Sequence, residues 1–460
     1  MTQLGVKGPQ DYFLLDNTQM TFFRSQIVKH ANFAMSENTQ HFCSNVGFDK
    51  HRMDAKLDRA GDLLTQMYLY AEIAPIGYDP SVKWAVRDVD NSFRAHYSPK
   101  LGYAMLRDIN LLIGNHPMDQ QSGMFLDIFE QVSKRSDSLA GELVGDVEDP
   151  EIAALNTQEI MVPLQWYFCR FTEQALPLIS LYWHGVTVQM STRALRDLII
   201  YTYYGIHNNG EIVSPDAVYN GTTVKSRFTI AAHPIEMYLI MNLAYCDKRE
   251  RSMFANGKLE YVFDQVQMLG SESHSKHHKH QQISIRYNHP CGEVFVVCQR
   301  DDVLWTEDAQ GNRVPINNWC DYSGVPSIAT GGPADAATAL TLPERDAFSH
   351  AQIFLNNQER TCRWHAAFFR HLVPMEHHTS VPRSFIYNYA FGLKPEALID
   401  TGSVNMSRMD NAFVRMCFPS QYDKNGLVGD ENWTGNIHTA ARNKNIGKVS
   451  LGMFGLRYAA

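Results

Sequence analysis

Hydrophobic and polar residues alternate with a period of two in several separate stretches of this chain. In residues 66–73, the apolar residues Met67, Leu69, Ala71 and Ile73 occupy every second position. Successive side chains of a β-strand point to opposite faces, so this spacing puts all four on one face. The pattern recurs in residues 103–113, 283–287 and 351–355, and residues 294–298 are wholly apolar. Each of these segments is predicted to be a half-buried or core strand.

Helical patterns are few. Residues 194–201 predict a short helix, and residues 124–132 fit a helix or a strand equally well. Strands therefore do not alternate with long helices, which argues against a doubly wound α/β fold. The expected class is all-β, built as sandwiches with long loops and few short helices.

The length of 460 residues suggests two or three domains. The best boundary is the charged stretch 247–251, followed by the turn signal Asn256-Gly257. Strands are predicted on either side, at 235–245 and 259–268. We therefore expect an N-terminal segment at 1–20, a first domain at 21–250 and a second at 257–460, each domain with room for one eight-stranded sandwich.

Charge argues against a protein that coats nucleic acid. The net charge is −8, whereas a nucleic-acid coat needs a basic surface. Near the N-terminus Arg24, Lys29, His30 and Arg52 are basic. These four residues suit either an acidic membrane surface or partner, or an ordinary solvated face.

The eight cysteines are scattered and include no CxxC pair. In a chain of this length they are expected to be free and mostly buried thiols in a reducing compartment. Residues 1–15 lack the basic start and apolar core of a secretory signal. No apolar stretch reaches the roughly 18–20 residues that a spanning helix needs.

Residues 385–416 are the most specific block in the sequence. An aromatic strand leads into Leu393-Lys394-Pro395-Glu396, and the segment from Asn405 to Ala412 runs into another strand. This block resembles the strand–corner–strand signature of the major capsid proteins of nucleocytoplasmic large DNA viruses. Further blocks resemble that family in the same order, at 21–34, 59–69, 101–126, 162–184, 245–255, 288–298 and 445–458. Residues 207–230 match nothing in the family and are expected to form a surface insertion.

The resemblance implies a double jelly roll, that is, two eight-stranded antiparallel β-sandwiches. It also implies a homotrimer that forms pseudo-hexagonal capsomers of an icosahedral virus. The protein would then be structural and not an enzyme, with no catalytic, cofactor-binding or metal-binding residue. Its expected partners are further copies of itself, minor capsid and penton proteins and an inner membrane, without direct contact to nucleic acid. It would be part of the virion capsid and would assemble in the host cytoplasm.

Two alternative functions come from other residues. The histidines His274, His277, His278 and His280 could hold a metal, as in a cupin-like jelly-roll enzyme. The cupin pattern nevertheless needs a glycine six residues before the HxH pair and a glutamate after it, and neither is present, so a solvated loop is favoured. Trp305, Trp319 and Trp433 could stack on sugars in a carbohydrate-binding module.

The remaining polar candidates favour structural roles. Arg408 and Asp410 are expected to fasten a corner, with the Asp410 carboxylate accepting backbone N–H groups. The pair His377-His378 could suggest a metal, but is predicted to lie in a loop between strands. His116 and His184 flank apolar strands and are expected to form core or interface hydrogen bonds.

Overall fold

The computed structural model describes most of the chain. The described residues are 8–9, 30–76, 92–133, 139–147, 150–154, 156–204, 218–219, 222–223, 234–275, 278–307, 313–324, 346–418 and 433–457. The predicted insertion at 207–230 lies outside them, apart from two short paired strands.

The strands before residue 247 form two facing sheets and two separate two-stranded pairs. In chain order they are β1 (Phe33–His41), β2 (Met53–Lys56), β3 (Leu63–Ile73), β4 (Ser92–Tyr97), β5 (Leu106–Ile113), β6 (His116–Gln121), β7 (Gln158–Pro163), β8 (Leu176–Pro177), β9 (Val186–Thr192), β10 (Ile199–Tyr204), β11 (Val218–Tyr219), β12 (Thr222–Thr223) and β13 (Pro234–Cys246). One sheet has the order β1-β13-β3-β7 and the other β2-β9-β5-β6, while β4 pairs with β10 and β11 with β12. All pairings are antiparallel.

The strands after residue 258 repeat this arrangement. They are β14 (Leu259–Met268), β15 (Glu272–His274), β16 (His280–Ser284), β17 (Pro290–Arg300), β18 (Trp305–Glu307), β19 (Arg313–Pro315), β20 (His350–Leu355), β21 (Gln358–Glu359), β22 (Trp364–His365), β23 (Ile386–Ala390), β24 (Val404–Asn405), β25 (Ala412–Cys417), β26 (Gly435–Ser450) and β27 (Met453–Leu456). Their main sheets have the orders β14-β26-β17-β23 and β16-β25-β20-β21.

Both halves therefore have the strand order of a jelly roll. Numbering the eight main strands of each half along the chain gives the order 1-8-3-6 in one sheet and 2-7-4-5 in the other. Two such sheets packed face to face make a sandwich in which the connections cross from one sheet to the other. The protein is thus a double jelly roll, as the sequence predicted.

The helices are short. In chain order they are α1 (Leu101–Met105), α2 (Gly123–Val132), α3 (Leu139–Leu143), α4 (Pro150–Ala153), α5 (Tyr167–Arg170), α6 (Lys248–Asn256) and α7 (Val373–His377). A π-helical turn, Phe368–Leu372, leads into α7. In the part of the chain that the structure describes, none of the helices is long and apolar enough to cross a membrane.

Each half has its own hydrophobic core, and each core takes side chains from the other half. In β3, Met67, Leu69, Ala71 and Ile73 are buried as their spacing predicted. The second core nevertheless includes Phe125, Phe129 and Val132 of α2, which comes from the first half of the chain. Conversely, Phe263, Val449 and Phe454 belong to the first core.

Three predicted elements differ in the structure. Residues 101–105 form α1 and not a strand, and all five are buried, so apolar spacing could not distinguish the two. Residues 194–201 are not a helix: a 3₁₀ turn, Leu195–Asp197, leads into β10, which gains its backbone hydrogen bonds from β4. β16 ends at Ser284, although Ile285 and Tyr287 remain buried as predicted.

Other predictions gained a definite outcome. The ambiguous residues 124–132 lie within helix α2, whose N-cap Ser122 accepts a hydrogen bond from the Phe125 N–H. The charged stretch after Asp247 is helix α6, capped by the Asp247 carboxylate. All eight cysteines are free thiols; Cys291, Cys298 and Cys417 are buried, whereas Cys43 and Cys362 are exposed.

We predict that Phe125→Ala destabilises both halves together. The Phe125 ring is buried, stacks on Phe129 at 5.7 Å and lies 6.3 Å from Phe295 of β17, so its removal leaves a cavity in the second core. The free energy of unfolding should fall by about 3–5 kcal/mol, measured by calorimetry. Leu143→Ala, at a half-exposed position of α3, is the control and should change it little. Equal melting temperatures for the two variants would contradict the packing described.

Candidate functional site

Seven charged side chains lie together where the two halves meet, and we call them the junction cluster. They are Arg170, Asp264, Glu293, His378, Glu396, Arg442 and Lys444. All are largely buried, although charged groups in proteins are rarely buried unless they are paired. The cluster is therefore the most distinctive polar site in the described part of the chain.

Neighbouring strands and two connecting segments position these side chains. Asp264 comes from β14, Glu293 from β17, and Arg442 and Lys444 from the central strand β26. Glu293 and Arg442 are direct partners in the strand register, which places them side by side on one face of the sheet.

His378 directly follows α7 and is held between two carboxylates. Its Nε2 lies 3.0 Å from Glu293 Oε2, and its Nδ1 lies 2.8 Å from Glu396 Oε1. Thr379 donates its hydroxyl to Glu396 Oε2 at 3.0 Å. An imidazole with a carboxylate at each nitrogen is held in its protonated, doubly donating form.

These contacts fix the charge of the site. Burial alone would lower the pKa of His378, but Glu293 and Glu396 raise it to about 9. Burial alone would raise the pKa of Glu293, but Arg442 and His378 lower it to about 2. Both groups are therefore charged at neutral pH, and each depends on the other for compensation of its buried charge.

The Phe129 ring of helix α2 contacts two guanidinium groups of the cluster. The guanidinium carbon of Arg170, from α5, lies 4.6 Å from the centre of the Phe129 ring, and that of Arg442 lies 5.2 Å from it. Arg170 also pairs with Asp264 at 3.5 Å. Because Phe129 and Arg170 come from the first half and Arg442 from the second, the cluster joins the two halves.

A second polar contact crosses between the halves at Asp119. Its carboxylate, at the end of β6, accepts a hydrogen bond from the Val266 N–H of β14 at 2.9 Å. Burial raises the pKa of Asp119 to about 7, although this hydrogen bond and one from Gln121 lower it. The contact fixes the position of β6 against β14.

A cleft of about 820 Å³ opens beside the junction cluster. First-half residues of its wall include Tyr68, Gln165 and Phe171, and second-half residues include His377 and Lys394. His378 is already paired with Glu293 and Glu396 beside this cleft, so these groups serve to fix one another's charge and position. No three His, Cys, Asp or Glu side chains converge to hold a metal ion within the described ranges.

The pair His377-His378 lies in the connection between β22 and β23, but that connection is more than a loop. His377 is the last residue of α7, and His378, in the bend that follows, is buried in the junction cluster. Asp410 was assigned the wrong role, because the acceptors at the described corner are Asn405, for the Ser407 N–H, and Asp400, for the Gly402 N–H. The Asp410 N–H instead donates to Asn356 Oδ1 at 3.0 Å.

The histidine run is only partly the solvated loop that was predicted. His278 and His280 are exposed, whereas His274 is buried against Phe418 and Trp433, with ring centres 3.9 Å and 4.4 Å away. His277 lies outside the described residues. One end of the run, at His274, is therefore part of the packed interior, and the other end, at His278 and His280, is exposed to solvent.

The tryptophans also pack inward. Trp433 is buried and donates its indole N–H to the Ala347 carbonyl at 3.1 Å. Trp319 donates to the Asp197 carbonyl at 2.7 Å and lies under Arg193 at 4.0 Å. Trp305 is partly buried in β18. Trp319 and Trp433 thus have defined packing partners within the protein.

The other predicted polar residues have separate positions. His184 forms the expected hydrogen bond, because its Nδ1 accepts the Phe454 N–H at 3.2 Å, but His116 is exposed. Arg52 pairs with Asp54 at 2.9 Å, and His30 is exposed. Arg24 and Lys29 lie outside the described residues.

Comparison with known proteins gives matches over nearly the whole chain. Residues 21–228 match the family described as the N-terminus of major capsid proteins, and residues 250–455 match that of large eukaryotic DNA virus major capsid proteins. The major capsid protein of Phaeocystis pouchetii virus is 26% identical over 547 aligned residues, covering 100% of this chain and 99% of that protein. That of Paramecium bursaria Chlorella virus 1 is 25% identical with the same coverage.

Solved structures show the same architecture. The PBCV-1 virus capsid protein superposes with a TM-score of 0.72 at 21% identity, covering 96% of this chain and 100% of that one. The Faustovirus major capsid protein superposes with a TM-score of 0.65 at 10% identity, covering 97% and 95%. At these identities the structural likeness establishes the fold.

We predict that the protein loses stability at alkaline pH because His378 loses its proton there. Because its folded-state pKa of about 9 lies above the ordinary value of 6.5, its stabilisation is complete below pH 6.5 and is lost as pH rises through 9. The loss should approach about 3 kcal/mol. Melting temperatures measured across this range should fall for the native protein, and His378→Gln should remove that part of the pH dependence.

His377→Gln is the matched control, since the neighbouring His377 is only loosely paired with Glu376 at 3.9 Å. It should keep the pH dependence of the native protein. Parallel pH curves for the native protein and His378→Gln would show that the junction cluster does not hold His378 protonated.

Proposed function

Because this chain belongs to the family of large eukaryotic DNA virus major capsid proteins, we propose that three copies of it associate into a pseudo-hexagonal capsomer. The family makes it a structural component of the virion capsid, in agreement with relatives named as structural capsid proteins. The observation that carries the proposal is the repeated strand order of the two halves.

The repeat explains how three chains can imitate six subunits. Two sandwiches of the same strand order give each chain two similar wedges, and a closed trimer then presents six wedges around one axis. Such an object tiles a hexagonal lattice. We propose that residues 21–250 and 257–460 are these two wedges and that residues 1–20 form an N-terminal segment outside them.

The junction cluster supports this role because a capsomer needs a fixed angle between its two wedges. Arg170 is the first-half member of the cluster: it pairs with Asp264 at 3.5 Å and donates to the Glu396 carbonyl at 3.3 Å, and both contacts depend on the relative placement of the two halves. We therefore propose that the cluster is structural and that the protein has no catalytic or cofactor site.

An apolar strip on the outer edge of the first sandwich supports self-association. Phe33 and Met35 of β1 are more than half exposed, and β1 is an edge strand of its sheet in the described structure. Exposed apolar groups on a long edge strand favour contact with another protein surface. We propose that this strip faces a neighbouring copy.

The proposed partners beyond the chain itself are minor capsid and penton proteins and an inner membrane. The net charge of −8 supports a shell without direct contact to the genome. Assembly in the host cytoplasm fits the free thiols, since a reducing compartment keeps cysteines unpaired.

We predict that the purified protein is a trimer. Light scattering during gel filtration should give a species near three times 52.4 kDa, and electron micrographs should show pseudo-hexagonal particles. A chain that stays monomeric at micromolar concentration would contradict the proposal.

We predict that the double variant Phe33→Asp, Met35→Asp weakens the trimer without unfolding it. Both side chains are solvent-exposed in the single chain, so charge there affects only a contact with another copy. The trimer should dissociate at concentrations at which Leu143→Asp, at an exposed apolar position of α3, leaves it intact. Identical dissociation curves would place the subunit contact elsewhere.

A further inference from the structure

One end of the molecule has exposed apolar side chains at the tips of its short connections. The first half contributes the loop with Tyr182 and Trp183, and the second contributes the turn Leu451–Gly452 between β26 and β27, followed by Met453. Tyr182 and Met453 are each 47% exposed, Trp183 is 73% exposed and Leu451 is 74% exposed. We call these four side chains the apolar tip.

The two loops of the apolar tip are in direct contact. The Trp183 N–H donates to the Gly452 carbonyl at 3.1 Å, and the rings of Tyr182 and Trp183 are 5.7 Å apart. A methyl group on Gly452 would lie 2.5 Å from the Tyr182 ring, so glycine is needed there. The tip is therefore one continuous surface built by both halves.

Leu451 occupies a backbone conformation that leucine disfavours. Its φ is +54° and that of Gly452 is +81°, the two positive values of a type I′ turn. Asn or Gly is the usual residue at the first position, because a branched apolar side chain is strained there. Leu451 is also largely exposed, so neither the backbone nor burial within this chain explains a leucine at the turn.

Basic side chains surround the apolar tip. Arg59 holds the first loop by donating to the Tyr182 carbonyl at 3.0 Å and the His184 carbonyl at 3.3 Å, and the Lys56 side chain passes beside Gly185. Helix α6 adds exposed Lys248 and Arg249 and is docked at the same end by the Arg251–Asp62 ion pair at 3.0 Å.

The acidic groups at this end are Asp58, Asp62, Glu260 and, in the α6 segment, Asp247 and Glu250. Glu260 pairs with Lys448 at 2.9 Å, and Asp62 pairs with Arg251. Exposed Asp58 lies between Lys56 and Arg59 in sequence. The basic residues of these segments exceed the acidic ones by two, in a chain whose net charge is −8; they are Lys56, Arg59, Lys248, Arg249, Arg251, Lys258 and Lys448.

We propose that the apolar tip docks on an anionic phospholipid bilayer. Tryptophan and tyrosine favour the boundary between headgroups and acyl chains, an exposed leucine and methionine insert shallowly, and the lysines and arginines attract acidic headgroups. The proposal rests on the proposed function and deepens it, because it assigns contact with the proposed inner membrane to named residues at the short-connection end.

The arrangement of the remaining connections agrees with this orientation. The short connections 57–62, 114–115 and 181–185 all meet at the apolar tip, through Arg59 and through the Gly114 N–H, which donates to the Gly185 carbonyl at 2.9 Å. The longer connections of the first half, between β3 and β5, β6 and β7, and β9 and β13, leave the sandwich at the opposite end. The long connections of the first half named above therefore lie away from a bilayer that contacts the apolar tip.

The test is sedimentation of the full-length protein with phosphatidylcholine vesicles, with and without phosphatidylserine. The native protein should bind the anionic vesicles at low salt, release them at high salt and bind the neutral vesicles less. Leu451→Asn should reduce binding by about fivefold or more, because it removes an inserting side chain. Its melting temperature should be equal or higher, because asparagine tolerates the positive φ, so lost binding cannot come from unfolding.

Leu143→Asn, the same change at an exposed position away from the tip, should bind as the native protein does. The proposal is overturned if the native protein fails to bind anionic vesicles at low salt, or if Leu451→Asn binds as well as the native protein. It is also overturned if Leu451→Asn lowers the oligomer mass without affecting vesicle binding, since the tip would then be a contact between copies.

Light scattering on the same samples separates the two proposals. Monomers that bind vesicles would refute only the trimer, and trimers that do not bind vesicles would refute only the membrane contact.

Discussion

Pairing of buried charge at the seam between two sandwiches is the constraint on which the rest of this structure depends. Glu293 is fully buried, and a carboxylate in that position is tolerated only while Arg442 and His378 face it. His378 in turn needs Glu396, which the corner after β23 supplies. These four side chains all belong to the second half, so their pairing fixes β17, β26, α7 and the corner to one another. Arg170 ties that arrangement to the first half, because it pairs with Asp264 at 3.5 Å and donates to the Glu396 carbonyl at 3.3 Å.

This constraint gives the specific block at residues 385–416 a physical role. β23 pairs with β17 beside Glu293, and the corner then returns Glu396 to His378 before β25 enters the opposite sheet. The block thus connects the two sheets of the second sandwich and also completes the junction with the first. Helix α2 works in the opposite direction, since it carries Phe125 and Phe129 from the first half into the second core. Such mutual insertion holds the two sandwiches in one arrangement.

Much of the fold was predictable because alternation in a strand depends on local sequence. The strands around Met67 and Ile353 and the turn at Asn356-Asn357 follow directly from apolar spacing and from residues that accept positive φ. The junction cluster was not predictable in the same way. Glu293 was visible as a charge directly before the apolar residues 294–298, whereas Arg442 is followed by Asn443, Lys444 and Asn445 and gave no such signal. Their partner His378 lies 85 residues from Glu293 along the chain, and no local pattern connects the two.

The sequence by itself determined the all-β class, the number of sandwiches and the family, because strand periodicity and collinear blocks are properties of the chain order. Only the tertiary structure decided which polar groups are buried together, that His274 packs while His278 is solvated, and that Tyr182 and Leu451 share one surface. The physical reason is that burial and pairing energies depend on distances between segments remote in sequence, which the register of β26 with β14 and β17 sets. The residue type determines which contacts a side chain can make, and the packing of the sheets determines whether a partner lies close enough to make them.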